Sequence, residues 1–112
     1  MNPSVADLLN SLQNQHAALY AKMGTVTDPK LGQAILLESQ ELLHRISVLQ
    51  NLALIEAADS AGAAVTAVAG ADKQLTQDLQ GITEAGNLIT SVSTYLVYVD
   101  KAIGFLKFAA AL

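Results

Sequence analysis

Two histidines and the carboxylates near them are the side chains of this sequence with the widest capacity for chemistry. Glu41 and His44 have the Glu-x-x-His spacing with which one helix of a ferritin-like bundle offers two metal ligands on one face. A complete site also needs a second such pair and glutamates from other helices. The sequence before residue 28 contains no glutamate, and the sequence after residue 71 contains only Glu84 and no histidine. The spacing therefore favours an exposed ion pair between Glu41 and Arg45, four residues apart.

His16 is the second candidate, because it lies on the apolar stripe predicted for the first helix. If neighbouring helices are antiparallel, His16 comes level with Glu38 and with Tyr95 or Tyr98. His16, Glu38 and Tyr95 form a candidate buried polar cluster. An imidazole between a carboxylate and a phenol can accept a proton or respond to pH. A core histidine can equally serve to fix the register of packed helices. Both interpretations stay open at this point.

Composition excludes several classes of protein. The sequence has no cysteine and no serine in a nucleophile-elbow context, so we expect no catalytic residue, no resident metal ion and no cofactor. The net charge is −4, and the basic residues are one arginine and scattered lysines. The sequence therefore lacks the stripe of basic side chains that nucleic acid binding requires. With 52% hydrophobic and 14% charged residues, the chain is too apolar to be disordered. We therefore expect a folded protein that is not an enzyme.

The sequence also bears on targeting. Residues 1–7 show no basic segment followed by an apolar one, so we expect no cleaved signal peptide and a cytoplasmic location, with secretion by routes that use no such peptide left open. The two most apolar stretches, 48–71 and 88–112, each contain charged residues, which disfavours a membrane-spanning helix.

Apolar residues recur with helical periodicity along the chain, which predicts a single all-α domain over residues 1–112. We predict three helices, at about residues 3–23, 28–61 and 72–110, packed as an antiparallel bundle with a long hairpin of the second and third helices. Thr27 or Asp28 is the expected N-cap of the second helix, and Asp72 that of the third. Residues 62–71 fit a helix extension, a short helix or a loop.

These unequal lengths predict association. A first helix of about 30 Å covers only part of a hairpin of about 50 to 58 Å, at 1.5 Å per residue. The uncovered end carries Leu52, Leu54 and Ile55 on more than one face, and exposed apolar surface of this kind marks an interface. We therefore expect a homo-oligomer, with a dimer favoured.

The outer face of the third predicted helix strengthens this expectation. Its polar row becomes aromatic toward the C-terminus at Tyr98, Phe105 and Phe108, although the chain has only three tyrosines and two phenylalanines. Either the first helix packs over these rings, or they contact another chain.

The sequence thus predicts a small helical oligomeric protein with a structural or protein-interaction role. One alternative is a ligand- or metal-binding bundle, a ferritin-like half-site using His16, Glu38, Glu41 and His44. Another is a secreted or membrane-active protein that uses its amphipathic third helix.

Overall fold

A computed structural model describes the backbone of residues 3–52 and 62–111, with side chains as far as Phe108. Within these ranges the chain forms four helices and no strand: α1 (Pro3–Met23), α2 (Pro29–Leu52), α3 (Gly62–Gly81) and α4 (Ala85–Ala111). The predicted all-α class is confirmed, and the predicted count of three helices is wrong.

The first two helices begin where their sequence signals indicate. Pro3 stands in the first turn of α1, where its missing N–H removes no helical hydrogen bond. Asp28 caps α2: its carboxylate accepts the Lys30 N–H at 3.1 Å, and its carbonyl accepts the Gly32 N–H at 3.0 Å. Pro29 then takes the first helical position, as it does in many helices.

The predicted third helix is two helices separated by a short turn. α3 begins at Gly62, so residues 62–71 are helical, and Asp72 lies inside α3 and is not a cap. The chain leaves the helix after Gly81, and the Leu88 N–H bonds to the Glu84 carbonyl at 3.1 Å to start α4. The helical periodicity of apolar residues continues through this turn, because Ile82, in the turn itself, is also buried.

Two helical hairpins, α1–α2 and α3–α4, pack side by side. α1 packs against α2 and α3, and α4 packs against α2 and α3, which leaves α1 and α4 diagonally opposed. Ser11 contacts Asp72 and Lys22 contacts Leu79, so α1 and α3 run parallel. The expected length mismatch is therefore wrong, because α1 and α3 have nearly equal lengths of 21 and 20 residues.

All four helices contribute to one apolar core. Its most fully buried aliphatic side chains include Leu12 and Leu19 of α1, Leu42 of α2, Leu75 of α3 and Leu88 of α4. Truncating a leucine at such a position to alanine costs about 2 to 5 kcal/mol. Leu52, expected at an interface, is half-buried against this core, whereas Leu54 and Ile55 lie outside the described residues.

Candidate functional site

A network of polar side chains crosses the interior and joins three helices. Its members, which we call the polar network, are Ser11 and Gln15 of α1, Asp72 and Thr76 of α3, and Tyr95 of α4. The Ser11 hydroxyl donates to Asp72 Oδ1 at 2.8 Å and lies 2.7 Å from the Tyr95 hydroxyl. Because Ser11 has one proton and gives it to Asp72, Tyr95 is the donor in the second bond. The protons thus point from Tyr95 through Ser11 to the carboxylate.

Gln15 holds the same carboxylate from the next helical turn. Its Nε2 lies 2.9 Å from Asp72 Oδ1, 3.1 Å from the Asp72 carbonyl and 2.9 Å from Thr76 Oγ1. Gln15 is only 1% exposed, and its Oε1 has no hydrogen-bond partner among the residues that the structure describes. The network therefore fixes α1 against α3 through several directional bonds, with one acceptor left unsatisfied.

Tyr95 is the largest fully buried side chain of the described residues. Burial raises the pKa of its phenol well above the ordinary value of 10.0, and the charge of Asp72 acts in the same direction. Tyr95 is consequently a hydrogen-bond donor at any physiological pH and not a proton acceptor. The arrangement is suited to positioning helices.

A charged contact joins the other two helices. Arg45 of α2 forms a two-pronged ion pair with Asp100 of α4, at 2.7 and 3.0 Å, and a second ion pair with Glu41 at 2.9 Å. These pairs raise the pKa of Arg45 above its ordinary value, the bond to Asp100 most strongly. Glu38 lines the same groove, and burial together with the nearby Glu41 raises its pKa. The predicted Glu41–Arg45 ion pair is confirmed.

The candidate cluster of His16, Glu38 and Tyr95 is distributed over different parts of the bundle. Tyr95 bonds to Ser11, Glu38 lies in the α2–α4 groove, and His16 is half-buried on α1. No hydrogen bond or ion pair in the described part of the chain joins these three residues.

The buried polar residue of α1 is not His16, which the sequence pattern favoured, but its neighbour. Gln15, adjacent to His16, is the fully buried polar residue, and it lies three residues after Leu12 and four before Leu19, both of which are in the core. That spacing was a readable signal for Gln15. Asp72 was harder to find, because an aspartate after an Ala- and Gly-rich segment also looks like a helix cap.

The ferritin-like alternative gains no support from the geometry. Glu41 is bonded to Arg45, and His44 is exposed. Across residues 3–52 and 62–108, no three side chains of the His, Asp and Glu types come together in a way that could hold a metal ion.

An apolar surface on α4 contrasts with this polar interior. Tyr98, Phe105 and Phe108, which we call the aromatic row, are 39%, 53% and 66% exposed. The Lys101 ammonium lies 6.0 Å from the centre of the Tyr98 ring, and Gly104 opens a shallow cavity of about 300 Å³ between Lys101 and the two phenylalanines. The alternative in which the first helix covers these rings is wrong, because α1 is diagonal to α4.

Beside the aromatic row runs a larger open groove of about 580 Å³ between α3 and α4. Ala67, Gly70 and Ala71 of α3 line one side of this α3/α4 groove, and Thr94 and Tyr98 of α4 line the other. Its polar groups are largely engaged within the chain: the Thr94 hydroxyl bonds to the Thr90 carbonyl, and Gln74 bonds to Asp78. The groove therefore suits an apolar occupant better than a polar one.

None of the described helices is both long enough and apolar enough to cross a membrane. Comparison of the chain with models of protein families, with curated proteins and with solved structures gives no significant match. The site must therefore be interpreted from its own geometry.

Proposed function

We propose that this protein is a small, non-catalytic interaction protein that forms a homodimer through the aromatic row of α4. The observation that carries the proposal is the exposure of Phe105 and Phe108 on a folded helix whose opposite face is fully packed. Aromatic residues are enriched and charged residues depleted in the cores of protein interfaces. The dimer serves a structural or scaffolding role.

The distribution of charge supports self-association at this surface. Each copy has a net charge of −4, so two copies associate best where neither presents acidic groups. Tyr98, Lys101, Phe105 and Phe108 follow one another on the same side of α4, and Lys101 is the only charged residue among them. A lysine can also contribute a favourable cation–π contact to a partner ring.

The buried polar groups support an architectural role over a catalytic one. Ser11 is hydrogen-bonded on both sides, since it donates to the Asp72 carboxylate and accepts from the un-ionised Tyr95. The phenol keeps its own proton, and the carboxylate oxygen that faces Ser11 is also held by Gln15. Its bonds hold helices together.

Sedimentation equilibrium of the wild-type chain and two variants tests the proposal. The wild type is expected at twice the chain mass of 11.7 kDa at micromolar concentration. Replacing Phe105 and Phe108 together by serine should give a monomer with an unchanged helical circular dichroism spectrum, because both side chains are exposed.

Tyr20→Ser is the matched control, since Tyr20 is an aromatic residue of α1 that is 76% exposed and lies outside the aromatic row. This variant should remain dimeric. A wild-type chain that is monomeric at 100 µM would refute the proposal.

A further inference from the structure

We infer that the α3/α4 groove is the socket for the partner copy's aromatic ring, so that two copies pair through a two-fold axis with their α4 helices antiparallel. This inference rests on the proposed function and specifies the second half of the interface. Phe105 of each copy occupies the groove of the other.

The first argument is area. The three rings of the aromatic row together expose about 300 Å² per copy, taking about 200 Å² for a whole aromatic side chain. A stable interface buries about 800 Å² on each partner. The row is therefore too small by itself, and the interface must extend onto adjoining apolar surface. Tyr98 belongs to both the row and the α3/α4 groove, which makes the groove the continuous extension.

The second argument is shape. A Cβ atom built on Gly70 meets no other atom within 4 Å, so the groove has free volume at this point. Ala67 and Ala71, on either side of Gly70, have small side chains that do not fill the groove. Small side chains beside protruding rings are the complementary halves of a knob-into-hole contact.

The third argument is register. Phe105 follows Tyr98 by seven residues, so both project from nearly the same side of α4. Phe105 is eleven residues beyond Thr94, a groove residue, which is roughly 16 Å along the helix at 1.5 Å per residue. A two-fold axis midway between them, close to Val99, places each Phe105 in the opposite groove. The same axis brings Lys101 of one copy level with Tyr98 of the other.

The fourth argument is the chemistry of the groove. Ala67, Gly70 and Ala71 line its α3 side with no polar side chain, and Asp78, the one charged residue of the lining, accepts a hydrogen bond from Gln74 at 2.9 Å. The Thr90 and Thr94 hydroxyls on the opposite wall already bond to carbonyls of their own helix. An apolar ring therefore enters without leaving these hydroxyls unpaired.

A pair of leucine substitutions on α3 tests the inference. Gly70→Leu places a large side chain in the groove, and its Cβ meets open space, so the substitution creates no clash at the backbone. Ala69→Leu, one residue earlier, faces the separate groove between α1 and α3 and serves as the matched control. Sedimentation equilibrium should show the dimer dissociation constant raised at least tenfold by Gly70→Leu and changed less than threefold by Ala69→Leu.

Disulfide cross-linking provides an independent measurement, because the natural chain has no cysteine. Lys101→Cys lies close to the inferred axis and should give a covalent dimer on mild oxidation. Leu43→Cys, at an exposed position of α2, should remain mostly monomeric in denaturing gels.

The outcomes separate this inference from the proposed function. A wild-type dimer that Gly70→Leu leaves intact, or that cross-links through Leu43→Cys and not Lys101→Cys, overturns the groove pairing and leaves self-association standing. A monomeric wild-type chain overturns both.

Discussion

The polar network and the aromatic row reverse the usual distribution of side chains in opposite ways. In the network, Gln15 and Tyr95 carry polar atoms into an interior where each is 1% exposed. In the row, Phe105 and Phe108 carry apolar rings to the surface. The network is largely satisfied within one chain, since Ser11, Asp72 and Thr76 bond to each other or to these residues. The rings of the aromatic row, by contrast, are not packed against α1.

The comparison teaches where each region obtains its stability. Buried polar groups add little net free energy when bonded, but they penalise arrangements that leave them unbonded. The polar network therefore selects the parallel pairing of α1 with α3 over alternatives. Exposed rings penalise the isolated chain, and in the proposed dimer a second copy would remove that penalty by burying them.

The largest effect is expected from breaking the network at its centre. Asp72→Ala removes the acceptor of both Ser11 and Gln15 and should lower the free energy of unfolding by about 3 kcal/mol, because buried donors lose a charged partner. Asp78→Ala, on the same helix, removes only an exposed bond to Gln74 and should cost less than about 1 kcal/mol. Urea unfolding of both variants measures the difference, and equal losses would contradict the role given to Asp72.

A smaller and asymmetric effect is expected at the other end of the network. Ser11→Ala orphans the buried Tyr95 hydroxyl and should cost about 2 kcal/mol, whereas Tyr95→Phe leaves Ser11 bonded to Asp72 and should cost about 1 kcal/mol. In the double variant the two losses should not add, because each removes the same bond. Additive losses in a double-mutant cycle would show that the Ser11–Tyr95 bond contributes nothing.

The smallest effect is expected at Glu38, in the groove between α2 and α4. Burial and Glu41 raise the pKa of Glu38 in the folded state, so the folded protein binds this proton more tightly and loses stability as pH rises above the ordinary glutamate pKa of 4.5. Glu38→Gln should therefore be more stable than the wild type at pH 7, by a few tenths of a kcal/mol. Thermal melts should show the advantage disappearing below pH 4.5. An advantage that is independent of pH would rule out this cause.

The parts of the fold that were predictable are those set by neighbouring residues. Pro3, Asp28 and Pro29 mark helix starts through their own backbone chemistry, and α1 was predicted at its observed bounds. The turn between Gly81 and Ala85 was not predictable from the periodicity of apolar residues, because Ile82 supplies a buried residue where a continuous helix would also need one. The side-by-side packing of the hairpins depends on long-range contacts that periodicity does not encode.

In the candidate site, too, the sequence predicted the features set by local spacing and missed those set by long-range packing. The aromatic row could be found from the spacing of Tyr98, Phe105 and Phe108, but its exposure depended on where α1 packs. The choice between Gln15 and His16 also needed the neighbours of α1. A helix that packs against two others buries a wide face, and Gln15 lies within that face whereas His16 lies at its edge.

Sedimentation equilibrium of the wild-type chain at several concentrations, beside the Phe105→Ser/Phe108→Ser variant, tests the central claim most directly. A dimer of the wild type that becomes a folded monomer in the variant is the predicted result. A wild-type chain that sediments at 11.7 kDa throughout, with its aromatic row exposed to water, would contradict it.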